Sequence, residues 1–122
     1  MATFKRFEDI LAWQKSRQVT KLVYEITSTG NFSKDFGLRD QIRRSSVSVM
    51  ANIAEGFGRR SDKEFANFLN IAHGSMAETQ SHIYIALDLN YLSQEDFKNL
   101  YALCDENSRM IMSLINHLRK RL

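Results

Sequence analysis

At 122 residues the chain suits a single domain spanning 1–122, large enough to bury a sizeable core without disulfides or structural metal. Its composition is 43% hydrophobic and 25% charged, with five glycines and no proline, which excludes a turn-rich β-sandwich and fits an all-helical protein. One cysteine excludes an intrachain disulfide and a thiolate zinc site.

That cysteine count also fits a reducing cytoplasm. The opening MATFKRFEDI lacks the apolar run of a signal peptide, and no stretch approaches the ~18 apolar residues of a membrane span. The net charge of +3 is unevenly placed: residues 1–60 hold eleven Lys/Arg against six Asp/Glu, residues 61–122 six against eight. A basic half joined to a mildly acidic half points to a patch for an anionic partner, although solvated helix faces carry such imbalances too.

The first helix is expected from about Glu8 to Ser28. Val19, Leu22, Val23 and Ile26 repeat at the spacing of an amphipathic helix, after an apolar lead-in of Phe4, Phe7, Ile10 and Trp13. Thr29-Gly30-Asn31 ends it, because glycine and asparagine accept the left-handed conformation at a C-terminus.

The second helix begins near Lys34 to Phe36 and stops at Gly56-Phe57-Gly58. Stepping about 100° per residue, Leu38, Ile42, Val49, Ile53 and Phe57 fall in one arc, and Val47, Met50 and Ala54 widen it to roughly half the circumference. A helix docked on one layer needs a narrower stripe, so Val47, Met50 and Ala54 are assigned to a subunit contact. Ser45, Asn52 and Gly56 flank the arc and admit a close backbone, with Arg44, Ser48 and Glu55 opposite.

Ser61-Asp62-Lys63-Glu64 has the form of a capping box opening a third helix that runs to about Leu89. Its core positions are Phe65, Phe68, Leu69, Ala72, Met76, Ile83, Ala86 and Leu87, and Gly74 and Ser75 are expected where a neighbour comes close. Ser93 caps a fourth helix whose seam of Phe97, Leu100, Cys104, Asn107, Ile111, Leu114 and Leu118 alternates by three and four. Asn107 is the polar member that sets register. Arg119, Lys120 and Arg121 suit the negative dipole end. Four such helices with short connections predict an all-α, antiparallel up-down-up-down four-helix bundle.

Chemistry is sparse. A di-iron bundle needs Glu-x-x-His on two helices, and this chain has none; Glu78 and His82 lie four apart with no second pair to answer them. Ser45, Ser46 and Ser48 have no nearby histidine, Cys104 lies on the apolar seam, and no phosphate-binding glycine loop occurs. The expectation is a non-enzyme without cofactor, metal or small-molecule substrate. Asn52, Glu55, Ser75 and Glu78 are expected to form a polar network between the second and third helices. Arg39, Arg43, Arg44, Arg59 and Arg60 are the candidate phosphate contacts, since guanidinium donates two hydrogen bonds in a plane; the competing reading pairs them with carboxylates such as Asp35 or Asp40.

FEDILAWQKS, LRDQIRRSSVSVMANIAEGFGRRSDKEFANFLNIAHGSMAE and LINHLRKRL resemble the 23S rRNA intervening-sequence proteins, four-helix bundles encoded in insertions of bacterial ribosomal RNA genes or elsewhere in bacterial genomes. Ser48 through Gly56 matches the family's S-hydrophobic-x-x-N-I-A-E-G pattern. The resemblance implies a small bundle assembling into a homopentameric ring. A related group, accessory proteins of diversity-generating retroelements, is similar in forming basic pentamers that bind nucleic acid and a reverse transcriptase. The expected function is therefore a non-catalytic ring that binds RNA or DNA through a basic surface. The alternative is a protein–protein scaffold, accessory-like, without nucleic-acid binding of its own.

Overall fold

A computed structural model describes residues 4–122. Four helices, α1 (Leu11–Ile26), α2 (Phe36–Gly58), α3 (Asp62–Asp88) and α4 (Gln94–Lys120), close a ring in which each packs on its neighbours in chain order and α4 returns to α1. Contacts across each of the three hairpins run in opposite chain directions. Thr20 meets Ser46 and Thr27 meets Arg43; Ser45 meets Thr79 and Ser48 meets Ser75; Asp62 meets Arg121 and Tyr84 meets Phe97. The bundle is antiparallel and up-down.

α1 starts later than the periodicity predicts. Phe7–Asp9 forms a single 3₁₀ turn, because the Asp9 carboxylate accepts from the Lys5 and Arg6 amides (3.3 Å each). Ile10 then turns extended and plugs the core, fully buried, before the helix begins. At the other end Thr27 Oγ1 donates to Val23 O (2.7 Å), and Gly30 takes φ +59°, a left-handed turn that costs a glycine little.

Asp35 governs the next corner. One of its oxygens accepts from Leu38 N (3.1 Å) and caps α2, while the other accepts from the Tyr91 hydroxyl (3.0 Å) in the α3–α4 turn. That hydrogen bond, with burial and the carboxylate's charge, pushes the Tyr91 phenol above its ordinary pKa. Buried Phe32 lies against the Tyr91 ring at 5.2 Å, so one end of the bundle is sealed by an aromatic pair and one carboxylate.

α2 and α3 make the most intimate contact. A Cβ added at Gly56 would stand 2.6 Å from Phe68 Cβ and 3.1 Å from the Phe65 ring, so only glycine fits. Further along, Ser45 Oγ and Thr79 Oγ1 are 2.7 Å apart and the Ser48 and Ser75 hydroxyls 2.9 Å apart. Ser75 therefore lies at a helix–helix contact as expected. Gly74 does not: it is exposed and has nothing within 4 Å, because it points outward one position away.

Ser61 caps α3 by accepting from Glu64 N, and Ser93 caps α4 by accepting from Asp96 N. The α3 core matches the expected residues except that Phe68 and Leu87 are half-buried and Ala66, Thr79 and His82 join the buried set. In α4 the seam drifts. Leu100, Cys104, Asn107, Ile111, Ile115 and Leu118 are buried, and Ile115 takes the inward place expected for Leu114. A straight helix turns about 20° per heptad relative to a 3.5-residue repeat, so a strict seam slides to the next residue within two or three heptads. Asn107 is fully buried and donates to Ala12 O (2.9 Å), on a carbonyl whose second lone pair is free for it. This bond fixes the start of α1 against the middle of α4.

Cys104 is fully buried in the core, and burial pushes its thiol up to about 12. Two expectations follow from this packing. Gly56→Ala and Ser75→Leu should each cost about 1–3 kcal/mol by overpacking the α2–α3 contact, seen as a lower denaturant midpoint at unchanged slope. Cys104 should resist iodoacetamide until the chain unfolds. Because the neutral thiol is favoured only when folded, its contribution to stability is complete below the ordinary thiol pKa of 9.0 and is lost as the pH climbs from there toward 12.

Candidate nucleic-acid interface

The five arginines singled out in the sequence all lie on α2 or just beyond it, yet the fold does not gather them. Arg39 and Arg59 are separated by twenty positions, roughly 30 Å at the rise of a helix. Arg39 is turned onto its own corner: Nε donates to Asp40 Oδ1 (2.9 Å), Nη1 donates to Ser33 O (3.1 Å), and the guanidinium lies over the Phe36 ring. Arg43 donates from Nε to the buried Thr27 Oγ1 (2.8 Å) and from Nη2 to Ser28 Oγ (3.1 Å), above the Tyr24 ring. Arg43 thus holds the end of α1 against α2, and Arg39 holds the segment that connects them.

The other three are disposed differently. Arg44 is exposed on the outer face of α2, and among the described residues no carboxylate lies within 4.0 Å of it. Arg59 pairs with Glu55 one turn back (3.1 Å) and covers the Phe68 ring. Arg60 follows the end of α2 with φ +60°, in the position where glycine is the usual residue. It lines a cleft of about 270 Å³ with Phe4, Phe57, Phe65, Asp62 and Arg121.

By sequence Arg121 is a cation suited to a helix dipole. The antiparallel path brings the end of α4 beside the start of α3, where Arg121 Nε meets Asp62 Oδ2 at 3.0 Å. The same path carries Arg119 and Lys120 to the end of the bundle that holds Arg59 and Arg60. The available signal was topological: in an up-down bundle the second and fourth helices finish at the same end.

The polar group expected between α2 and α3 is present in part. Asn52 Nδ2 donates to Ser48 O (2.8 Å) and Ser48 Oγ (3.0 Å), and Ser48 reaches Ser75, so Asn52 and Ser75 are joined through a serine that helical spacing put on the far side. Thr79 extends the chain, bonding Ser45 and donating to Ser75 O (2.9 Å). Glu55 and Glu78 stand outside it. Each is more than half exposed and turns to a side chain four residues on, Glu55 to the Arg59 guanidinium and Glu78 to the His82 ring (3.4 Å), which avoids the cost of burying a carboxylate.

Val47 is 42% exposed, and Met50 and Ala54 are half-buried beside it, so the outer part of the apolar arc on α2 is uncovered within one chain. Among the described residues no three His, Cys, Asp or Glu side chains gather as metal ligands, and no helix is long and apolar enough to cross a membrane.

No curated protein matches the chain. A crystal structure from Bacteroides thetaiotaomicron, described as a protein with unknown function from the S23 ribosomal protein family, superimposes with a TM-score of 0.79 at 27% identity, over 87% of this chain and 96% of that one. The family model for 23S rRNA-intervening sequence protein matches residues 8–113, which takes in the whole of α1 to α3, the Asn52–Ser48–Ser75 chain and most of α4. The chain belongs to the 23S rRNA-intervening sequence protein family.

Proposed function

We propose that this protein is a non-catalytic, self-associating bundle, a ring of five copies by its family resemblance, that binds RNA or DNA through a basic surface. One observation carries the reading. At the end where α1 begins, α2 finishes, α3 starts and α4 finishes, Lys5, Arg6, Arg59, Arg60, Lys63, Arg119, Lys120 and Arg121 outnumber the five acidic side chains Glu8, Asp9, Glu55, Asp62 and Glu64. Among the described residues Arg60, Lys63, Arg119 and Lys120 have no carboxylate within 4.0 Å. A chain at +3 is a weak polyanion binder, but a ring repeats each basic end and multiplies the effect. Self-association is supported by the uncovered arc of Val47, Met50 and Ala54. The family's description makes 23S rRNA the first nucleic acid to try.

A scaffold without nucleic-acid binding is favoured by a different feature. Tyr84, Phe97 and Tyr101 form a ring cluster with centroids 5.1–5.5 Å apart on the outer side of α3 and α4, and Tyr84 is 48% exposed. Aromatic residues of this kind anchor protein interfaces.

Salt-dependent titration separates the two. Binding to structured RNA or duplex DNA should be measurable at about 50 mM salt and fall steeply by about 200 mM. Replacing Arg119 and Lys120 by alanine should flatten the slope of log K on log salt by about 1.4–1.8, two contacts at 0.7–0.9 each, whereas Arg43→Ala should lower the melting temperature and leave the slope unchanged. A parent chain that binds neither polymer at the lower salt hands the case to the scaffold. Light scattering should give a multiple of the monomer mass, reduced by Val47→Glu; a monomeric parent would remove the self-association.

A further inference from the structure

The cleft at the basic end has features that a simple charged surface does not need. Its inner walls are the rings of Phe4, Phe57 and Phe65, set edge to face with centroids 6.0–6.5 Å apart. Arg60 and Arg121 stand at its margin, and Asp62 pins the Arg121 guanidinium there at 3.0 Å. The lining holds two guanidinium groups and one carboxylate, so it favours an anion attached to something flat or apolar.

The backbone of Arg60 is a second, independent observation. A left-handed φ of +60° costs a side-chain-bearing residue about 1–2 kcal/mol that glycine avoids. The residue in that strained place is an arginine that lines the cleft. Size narrows the ligand further. At about 270 Å³ the cleft lies just below the ~300–1,000 Å³ that drug-sized ligands occupy, room for one ring system and its anionic group.

We infer that the cleft takes the terminal nucleotide of a single strand, base against the phenyl walls and phosphate beside Arg60 and Arg121, an inference that rests on the nucleic-acid reading above. A terminal base can leave its stack and offer a face to an aromatic wall, which a base inside a duplex does not. Lys63, Arg119 and Lys120 adjoin the lining residues Asp62 and Arg121 in the chain and add positive charge beside the cleft for the phosphates that follow. A peptide ending in an apolar residue would also bring an anion on an apolar group, but it would have no use for that added charge.

The test is an NMR titration of the full chain with a 5′-phosphorylated tetrathymidylate, its unphosphorylated twin and N-acetylphenylalanine. The phosphorylated strand should shift the ring resonances of Phe57 and Phe65, and loss of its phosphate should weaken binding about tenfold. Arg60→Gly should weaken it by a similar factor while melting no lower than the parent, because glycine suits the left-handed turn. Undiminished binding by Arg60→Gly, or unmoved phenylalanine rings in a chain that still binds long RNA, overturns the cleft and leaves the broader function standing. Failure to bind either the strand or long RNA overturns both. Shifts caused by N-acetylphenylalanine but not by the oligonucleotide would give the cleft to a peptide terminus.

Discussion

The close approach of α2 and α3 is the constraint on which the other features depend. With no side chain at Gly56, the Phe68 Cβ can sit where a second Cβ would have been, and the two helices remain near enough for hydroxyls to meet along their length. Those hydroxyls are then obliged to pair, because a buried polar group without a partner costs about 1–3 kcal/mol. Ser45 with Thr79 and Ser48 with Ser75 meet that demand, and each pair is satisfied in only one register. The register in turn sets the turn from Gly58 to Ser61, and with it the left-handed backbone of Arg60 and the mouth of the cleft.

The same geometry sorts the cations. α2 gives its inner side to the core and one flank to α3, so residues on the opposite flank meet α1 or solvent. Arg43 falls on the α1 flank and satisfies the hydroxyl of Thr27, a group with no exposure to water; a charged donor in such a place stabilises by about 1.5–3 kcal/mol and holds the guanidinium at the α1–α2 corner. Arg44, one residue on, turns some 100° away and faces solvent. Adjacent arginines with identical chemistry thus serve different ends, one structural and one available. The helix ends then add Arg119 and Lys120 to the available group and bring Arg121 to Asp62.

Much of the architecture was legible from periodicity and caps. Four helices, the serine caps at Ser61 and Ser93, the glycine turn at Gly30, the special place of Gly56 and the inward set of Asn107 all follow from local rules that act within a turn or two of chain. What misled was any step requiring more than one turn of accumulated geometry. Ser48 falls beyond the apolar arc on a wheel, yet α3 covers it because two helices pressed together reach further round each other than one flat layer would. Ile115 replaces Leu114 because a 3.6-residue helix outruns an alternating seam. Ile10 looked helical by hydrophobicity but is extended, since Asp9 closes the preceding turn on the Lys5 and Arg6 amides.

By itself, then, the sequence determined the class of fold, the helix order, the caps and the membership of most of the core, because each is decided by interactions between residues close in the chain. It also marked an excess of cations in its first sixty residues. Only the tertiary structure decided which cations are spent and which remain. Arg39 and Arg43 are engaged by hydroxyls and carbonyls at the α1–α2 corner, while residues sixty-one positions apart, Arg60 and Arg121, line one cleft with three phenyl rings. Charge acts through space at the distances the fold creates, and no spacing along the chain encodes those distances until antiparallel packing has brought the helix ends together.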